Sequence, residues 1–208
     1  MIAVVDYGRG NLFSIGNALR FLEIPYTLAE NPEQILLAER VLLPGVGAFG
    51  DAMNGLTSRH FIEPLIEVAR RGTPLLGICL GMQILAESSD EFGGHSGLGL
   101  IPGHVIRLPA GNAEDSERIP NIGWRKLHFR SPVSEPFDAV GDQKQSVYFL
   151  HSYGFFPAAA SDIVATTSFN GAAPAAIVRR GNVVGYQFHP EKSGAYGLEL
   201  FRAFMSIR

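Results

Sequence analysis

Pro74-Leu-Leu-Gly-Ile-Cys-Leu-Gly-Met-Gln-Ile-Leu-Ala86 is the stretch that decides the fold, and it holds the only cysteine of the chain. Leu75 to Ile78 form a short apolar run suited to a buried parallel strand, and Met82 to Leu85 begin an apolar helical pattern. Cys79 therefore stands where a strand turns sharply into a helix. Gly77 and Gly81 flank it two residues away on each side, the arrangement that lets strand and helix approach closely enough to lift a nucleophile above the strand end. Unpaired N–H groups and the positive dipole end of a following helix favour a thiolate over a thiol, whose free pKa is ~8.5. The bland alternative is a buried, inert thiol.

Outward from this elbow, strand and helix alternate. Ile2 to Val5 read as a buried strand, and Asn11 caps a helix carrying Leu12, Ile15, Leu19 and Leu22. Asp6-Tyr-Gly-Arg-Gly-Asn11, between them, lacks the third glycine of a dinucleotide loop, since Phe13 takes that place. Tyr26 to Leu28 make a second strand, and Asn31-Pro-Glu-Gln34 opens a short helix as a capping box. A third strand, Val41 to Leu43, runs into Pro44-Gly-Val-Gly-Ala-Phe-Gly50, whose free backbone N–H groups suit an oxyanion. Helical stretches around Phe49 to Leu56 and Phe61 to Arg71 complete the alternation, which predicts a mostly parallel sheet flanked by helices with functional groups at the strand C-termini.

The second half changes character. Glu87 to Gly97 reads as loop, while His104 to Leu108, Gly123 to Phe129 and Val147 to Leu150 read as shorter strands. Arg180-Gly-Asn-Val183 is a two-residue hairpin signal between Ala176–Arg179 and Val184–Phe188. The expectation is an α/β fold with an antiparallel or mixed extension, closed by an amphipathic helix through Leu198, Phe201, Phe204 and Met205. All 208 residues are expected to form a single domain.

Composition narrows the function classes. With 46% hydrophobic and 18% charged residues the chain is of ordinary globular make-up, and a net charge of -3 leaves no broad surface for nucleic acid. A lone cysteine excludes an internal disulfide framework, and Met1-Ile-Ala-Val-Val-Asp6 lacks a basic leader, so neither membrane nor secretion is expected and the cytoplasm is the expected location.

A cysteine nucleophile requires a base, and six histidines are available. His189 stands out, because it follows a strongly apolar strand in Gln187-Phe-His-Pro-Glu191, with Glu191 placed to orient the imidazole as the acid of a triad does. His151 is the competitor, and its surroundings suit a backbone bond at a strand end. No ligand set for a metal is complete and no cofactor is expected.

Gly77-Ile-Cys79-Leu-Gly-Met-Gln83 together with His189-Pro-Glu191 resembles the class I glutamine amidotransferases. Asp6-Tyr-Gly-Arg-Gly-Asn-Leu12, Pro44-Gly-Val-Gly-Ala-Phe49, Gly97-Leu-Gly-Leu-Ile-Pro-Gly103, Ile122-Gly-Trp124 and Tyr148-Phe-Leu-His-Ser-Tyr153 are similar to the glutaminase subunits of imidazole glycerol phosphate synthases. The resemblance implies that Cys79 attacks glutamine, that His189 shuttles the proton and that Glu191 orients it. Backbone N–H groups of Leu80 and of Val46 or Gly47 would hold the oxyanion. Gln83, Ser152 and Tyr153 would bind the amino-acid end of glutamine. It further implies a heterodimer with a (β/α)8 cyclase subunit that uses the ammonia in histidine biosynthesis, with Asn11, Trp124 and Lys192 at the interface. Trp124 also fits an ordinary core position. Arg125 departs from the asparagine that usually follows the Gly-Trp pair, which keeps a surface-sugar amidotransferase partner open. A non-catalytic scaffold for a barrel is the alternative of a different class.

Overall fold

Strand and helix alternate from Ile2 to Cys79 in the computed structural model of the chain, which describes residues 1–111, 117–133, 135–141 and 145–207. The order is β1 (Ile2–Val5), α1 (Leu12–Phe21), β2 (Tyr26–Ala29), α2 (Pro32–Leu36), β3 (Arg40–Gly45), α3 (Phe49–Ser58), α4 (Ile62–Arg70) and β4 (Leu75–Cys79). Local chemistry sets the boundaries. Asn11 caps α1 by accepting from the Ser14 N–H, and Asn31 with Gln34 forms the complete capping box of α2.

After the one-turn helix α5 (Leu80–Gln83) come β5 (Ser88–Ser89), β6 (His95–Ser96), β7 (Gly103–Arg107), β8 (Asn121–Lys126) and β9 (His128–Phe129). The short α6 (Asp138–Gly141), β10 (Ser146–His151), β11 (Tyr153–Pro157), β12 (Ile163–Thr166), β13 (Ala175–Arg180), β14 (Val183–Tyr186) and α7 (Gly194–Met205) follow. The main sheet runs β2-β1-β3-β4-β14-β13-β12-β9, parallel from β2 to β14 and antiparallel beyond. β8 pairs with β10 in a two-stranded ribbon, and β11-β7-β5-β6 form a third, small sheet. The hairpin expected at Arg180–Val183 joins β13 to β14, with Gly181 at φ +59° and Asn182 tied to the carbonyls of Ala69 and Thr73.

Side chains of the main sheet alternate between two cores. Ala3 and Val5 pack with Ile35, Phe49, Leu56 and Leu65, whereas Ile2 and Val4 pack with Ile15, Leu19, Phe201 and Phe204. The helices therefore cover both faces, and each fully buried Leu, Ile or Phe contributes about 2 kcal/mol relative to exposure. Among the described residues no helix is long and apolar enough to cross a membrane.

Two expectations need correction. The helix after Cys79 is a single turn. Carbonyls of Ile84, Leu85 and Ala86, which would accept from the next helical turn, instead accept from Leu98, Leu100, Ile101 and Gly99 as the chain folds back. The stretch expected to be loop from Glu87 to Gly97 contains β5 and β6, paired with each other. In the β8–β10 ribbon Asn121 and Arg125 face inward, and Ile122 and Trp124 face outward with Leu150, so the departure from asparagine does not lie on the ribbon's outer face.

Candidate active site

Parallel pairing delivers three strand ends to one place. Gly45 is opposite Cys79 across β3 and β4, and Tyr186 is opposite Ile78 across β14 and β4, so Gln187-Phe-His189 emerges at the level of the cysteine. Cys79 has φ +56° and ψ -111°, a conformation that a non-glycine residue adopts only when its surroundings impose it. The flanking glycines permit the close packing around it. A Cβ on Gly81 would lie 1.8 Å from the Leu43 carbonyl oxygen, and one on Gly77 would lie 2.4 Å from that of Gly81.

His189 Nδ1 lies 2.8 Å from Glu191 Oε1, with the Glu191 side chain wholly buried. The imidazole of His189 and the thiol of Cys79 line the same cleft. Burial pulls His189 toward the neutral form, but its interactions with the neighbouring Cys79 and with the Glu191 carboxylate outweigh it and hold the pKa up at about 10. Cys79 Sγ also lies 3.7 Å from the Leu150 carbonyl oxygen and 4.0 Å from Gln187 Nε2. These groups, more than the one-turn helix, set the surroundings of the sulfur, because a single turn aligns too few peptides for the expected dipole.

Cys79 and His189 open onto a cleft of about 270 Å³ lined also by Val46, Gly47, Leu80, Gln83, Ser152 and Tyr153. Gly47 has φ +103°, and Tyr7 Oη fixes the start of this loop by donating to the Pro44 carbonyl at 2.9 Å. Burial and the charge of Cys79 raise the Tyr7 pKa, keeping that donor protonated. Gln83 does not face solvent. Its amide donates to the Tyr153 carbonyl at 2.8 Å and to Gln187 Oε1 at 3.1 Å, leaving its own oxygen for a ligand. Asn11, Trp124 and Lys192 lie outside the cleft on three adjoining elements. α1 packs against the Pro190–Lys192 turn, and that turn joins β10 through His189 N–H to Tyr148 O at 2.9 Å. Trp124 is 58% exposed, with its ring edge-on to Tyr148, and so is not a core residue.

The profile of the family described as "Glutamine amidotransferase class-I" matches residues 3–206. The chain belongs to that family. A relative from Legionella pneumophila (strain Lens), "Imidazole glycerol phosphate synthase subunit HisH 1", is 42% identical over 210 residues, spanning 99% of each chain. One from Desulfitobacterium hafniense (strain DSM 10664 / DCB-2), "Imidazole glycerol phosphate synthase subunit HisH", is 45% identical over 98% of this chain and 93% of its own. Among solved structures, "Structure of PurLQS from Thermotoga maritima" superposes with a TM-score of 0.74 at 22% identity, over 98% of this chain and 96% of that one, a likeness of fold.

The sequence left some residues of this cleft unmarked. Glu91 lines it from the loop between β5 and β6, and its Oε2 accepts from the Phe49 N–H at 2.7 Å. No periodicity marks Glu91, since it is brought in only by the pairing of two-residue strands. His151 also lines the cleft, but its Nδ1 is 2.8 Å from the Tyr153 carbonyl oxygen, the backbone bond that its surroundings suggested.

Proposed function

We propose that Cys79, His189 and Glu191 hydrolyse glutamine, and that the chain delivers the ammonia to the (β/α)8 cyclase subunit of imidazole glycerol phosphate synthase. The observation carrying the reading is the 2.8 Å contact of His189 with Glu191 while His189 and Cys79 line one cleft. Cys79 Sγ forms a bond to the carboxamide carbon. The oxyanion forms against backbone N–H groups of Leu80 and of Val46 or Gly47, each such contact worth ~3–4 kcal/mol of barrier. His189 gives its proton to the departing ammonia, and a thioester remains. Water, deprotonated by His189, then cleaves the thioester to glutamate. Gln83 through its oxygen, with Ser152 and Tyr153, receives the amino-acid end, and the Glu91 carboxylate complements the α-ammonium.

Near-full-length likeness to proteins named imidazole glycerol phosphate synthase subunits supports the partner. So does the outward strip of Ile122, Trp124 and Leu150 beside the elements bearing Asn11 and Lys192, an exposed apolar surface of the kind partners cover. The single-domain organisation and a cytoplasmic location belong to the same proposal. Arg125 faces inward, so it gives no ground for preferring a surface-sugar partner.

The test is glutamate release by the purified chain, alone and with the cyclase subunit carrying its ribulosyl phosphate ligand. A large rise with the loaded cyclase is expected. Equal rates in all conditions would remove this partner, and silence in all would favour a scaffold.

A further inference from the structure

Two histidines line the cleft, and the proposed chemistry uses one. His151, at the end of β10, is 6% exposed and held at both ring nitrogens. Nδ1 lies 2.8 Å from the Tyr153 carbonyl oxygen, and Nε2 lies 2.8 Å from Asn121 Nδ2. Behind Asn121 stands Arg125, whose Nε meets Asn121 Oδ1, whose Nη1 pairs with Glu117, and whose Cζ lies 5.1 Å from the centre of the Phe169 ring.

Hydrogen-bond chemistry permits one assignment of this row. A guanidinium only donates, so the Asn121 atom facing it is oxygen and the amide nitrogen faces His151. That nitrogen only donates, so Nε2 accepts and carries no proton. The Tyr153 carbonyl only accepts, so the single ring proton is on Nδ1. Without Arg125 the fully buried Asn121 amide is free to rotate and offer its oxygen to a protonated Nε2.

We propose that Arg125 is a positioning residue of the glutamine pocket: by orienting Asn121 it keeps His151 uncharged, with its one proton directed to the Tyr153 carbonyl. The inference rests on reading the cleft as a glutamine site. Its consequence for that site runs along the wall, where the same carbonyl accepts from Gln83, Gln83 donates to Gln187, and Gln187 Nε2 lies 4.0 Å from Cys79 Sγ. The ionisable groups around His151 are Cys79 at the end of β4, Glu91 from the β5–β6 loop, His189 after β14, Tyr153 on β11, and Arg125 on β8 behind Asn121. A second imidazolium among them would compete for the thiolate and repel the ammonium of glutamine. Burial is the main force lowering the His151 pKa to about 4, the bond to Tyr153 opposes it, and the charges of Arg125 and His189 add to it. A purely structural Arg125, paired with Glu117 and stacked on Phe169, would stabilise the fold without governing the imidazole.

The experiment is ¹⁵N-histidine NMR of the full chain together with glutamine kinetics, for wild type, R125M and R125K, with the His151 signals assigned through H151Q. Wild-type His151 is expected neutral with its proton on Nδ1 between about pH 5 and about pH 8. In R125M, His151 should titrate in that window and the glutamine KM should rise about fivefold at its acid end with kcat changed less than about twofold, and R125K should retain most of the wild-type behaviour. A wild-type proton on Nε2 overturns the proposal with no variant needed, as does an R125M protein whose His151 stays neutral and whose KM is unchanged. Absence of turnover in wild type even with the loaded cyclase subunit would remove the glutamine reading, while the NMR result still decides the role of Arg125.

Discussion

Gly45 lies directly opposite Cys79 in the register of β3 and β4, and the space between the two strand ends leaves no room for a side chain. A Cβ on Gly45 would lie 2.7 Å from the Gly81 nitrogen and 2.8 Å from both Leu80 Cβ and Tyr7 Oη. Gly45→Ala must therefore push the loop away from the nucleophile, costing about 1–3 kcal/mol of stability by overpacking. Denaturant unfolding should show that loss, accompanied by a fall in glutamine turnover. Wild-type stability with wild-type turnover would show that the strand ends yield freely.

Glu191→Gln preserves shape but replaces an acceptor-only carboxylate with an amide beside His189 Nδ1. The His189 pKa should drop from about 10, because one of the bonds and one of the charges sustaining it are removed. Turnover should fall by roughly two orders of magnitude or more while the elbow stays folded. A pH–rate profile checks both, and an unchanged profile would exclude Glu191 as the orienting acid.

On the β8–β10 ribbon, adjacent residues should behave oppositely. Trp124→Ala removes an exposed ring and should weaken binding to the cyclase subunit by about 2 kcal/mol, as loss of an interface anchor does. Arg125→Met, on the inner face, should leave that affinity within about threefold. Calorimetric titration of both variants measures the contrast. Equal losses would mean that the ribbon face does not decide what the partner touches.

Stability should peak near neutrality. The unfolded chain binds a proton at His151 near its ordinary pKa of 6.5, whereas the folded chain binds it only near 4, so this contribution is complete above 6.5 and is lost as pH falls toward 4. At about 1.4 kcal/mol per unit the loss is about 3 kcal/mol. His189 has the opposite sign. Its folded pKa of about 10 gives stability that is complete below 6.5 and fades as pH rises through 10. Denaturation midpoints of wild type and H151Q at acid and neutral pH test the first arm, since H151Q should flatten the acid slope.

How much of this was legible depends on how local each signal is. The elbow is local, since Gly77 and Gly81 are glycines for contacts within a few residues of Cys79 or on the neighbouring strand, and their spacing reveals it. His189 and Glu191 sit two residues apart after an apolar strand, which is enough to pair them. Glu91 was not legible, because two-residue strands carry no period and only their pairing brings it to the cleft. Trp124 and Arg125 could not be placed by residue type, because strand register alone turns one outward and the other inward. The length of α5 is not legible for a related reason. Ile84, Leu85 and Ala86 are all fully buried, so their apolar run shows no face, and what ends the helix is the return of Leu98 to Ile101, more than ten residues on.

The central claim is that glutamine is opened by Cys79 through a covalent thioester. The most direct measurement is rapid acid quenching of the wild-type chain and Cys79→Ala during turnover of isotopically labelled glutamine with the loaded cyclase subunit, followed by peptide mass spectrometry. A labelled γ-glutamyl group is expected on the Cys79 peptide of the wild type, with neither label nor glutamate release in Cys79→Ala. Continued glutamate release by Cys79→Ala, or label on a different residue of the wild type, would contradict it.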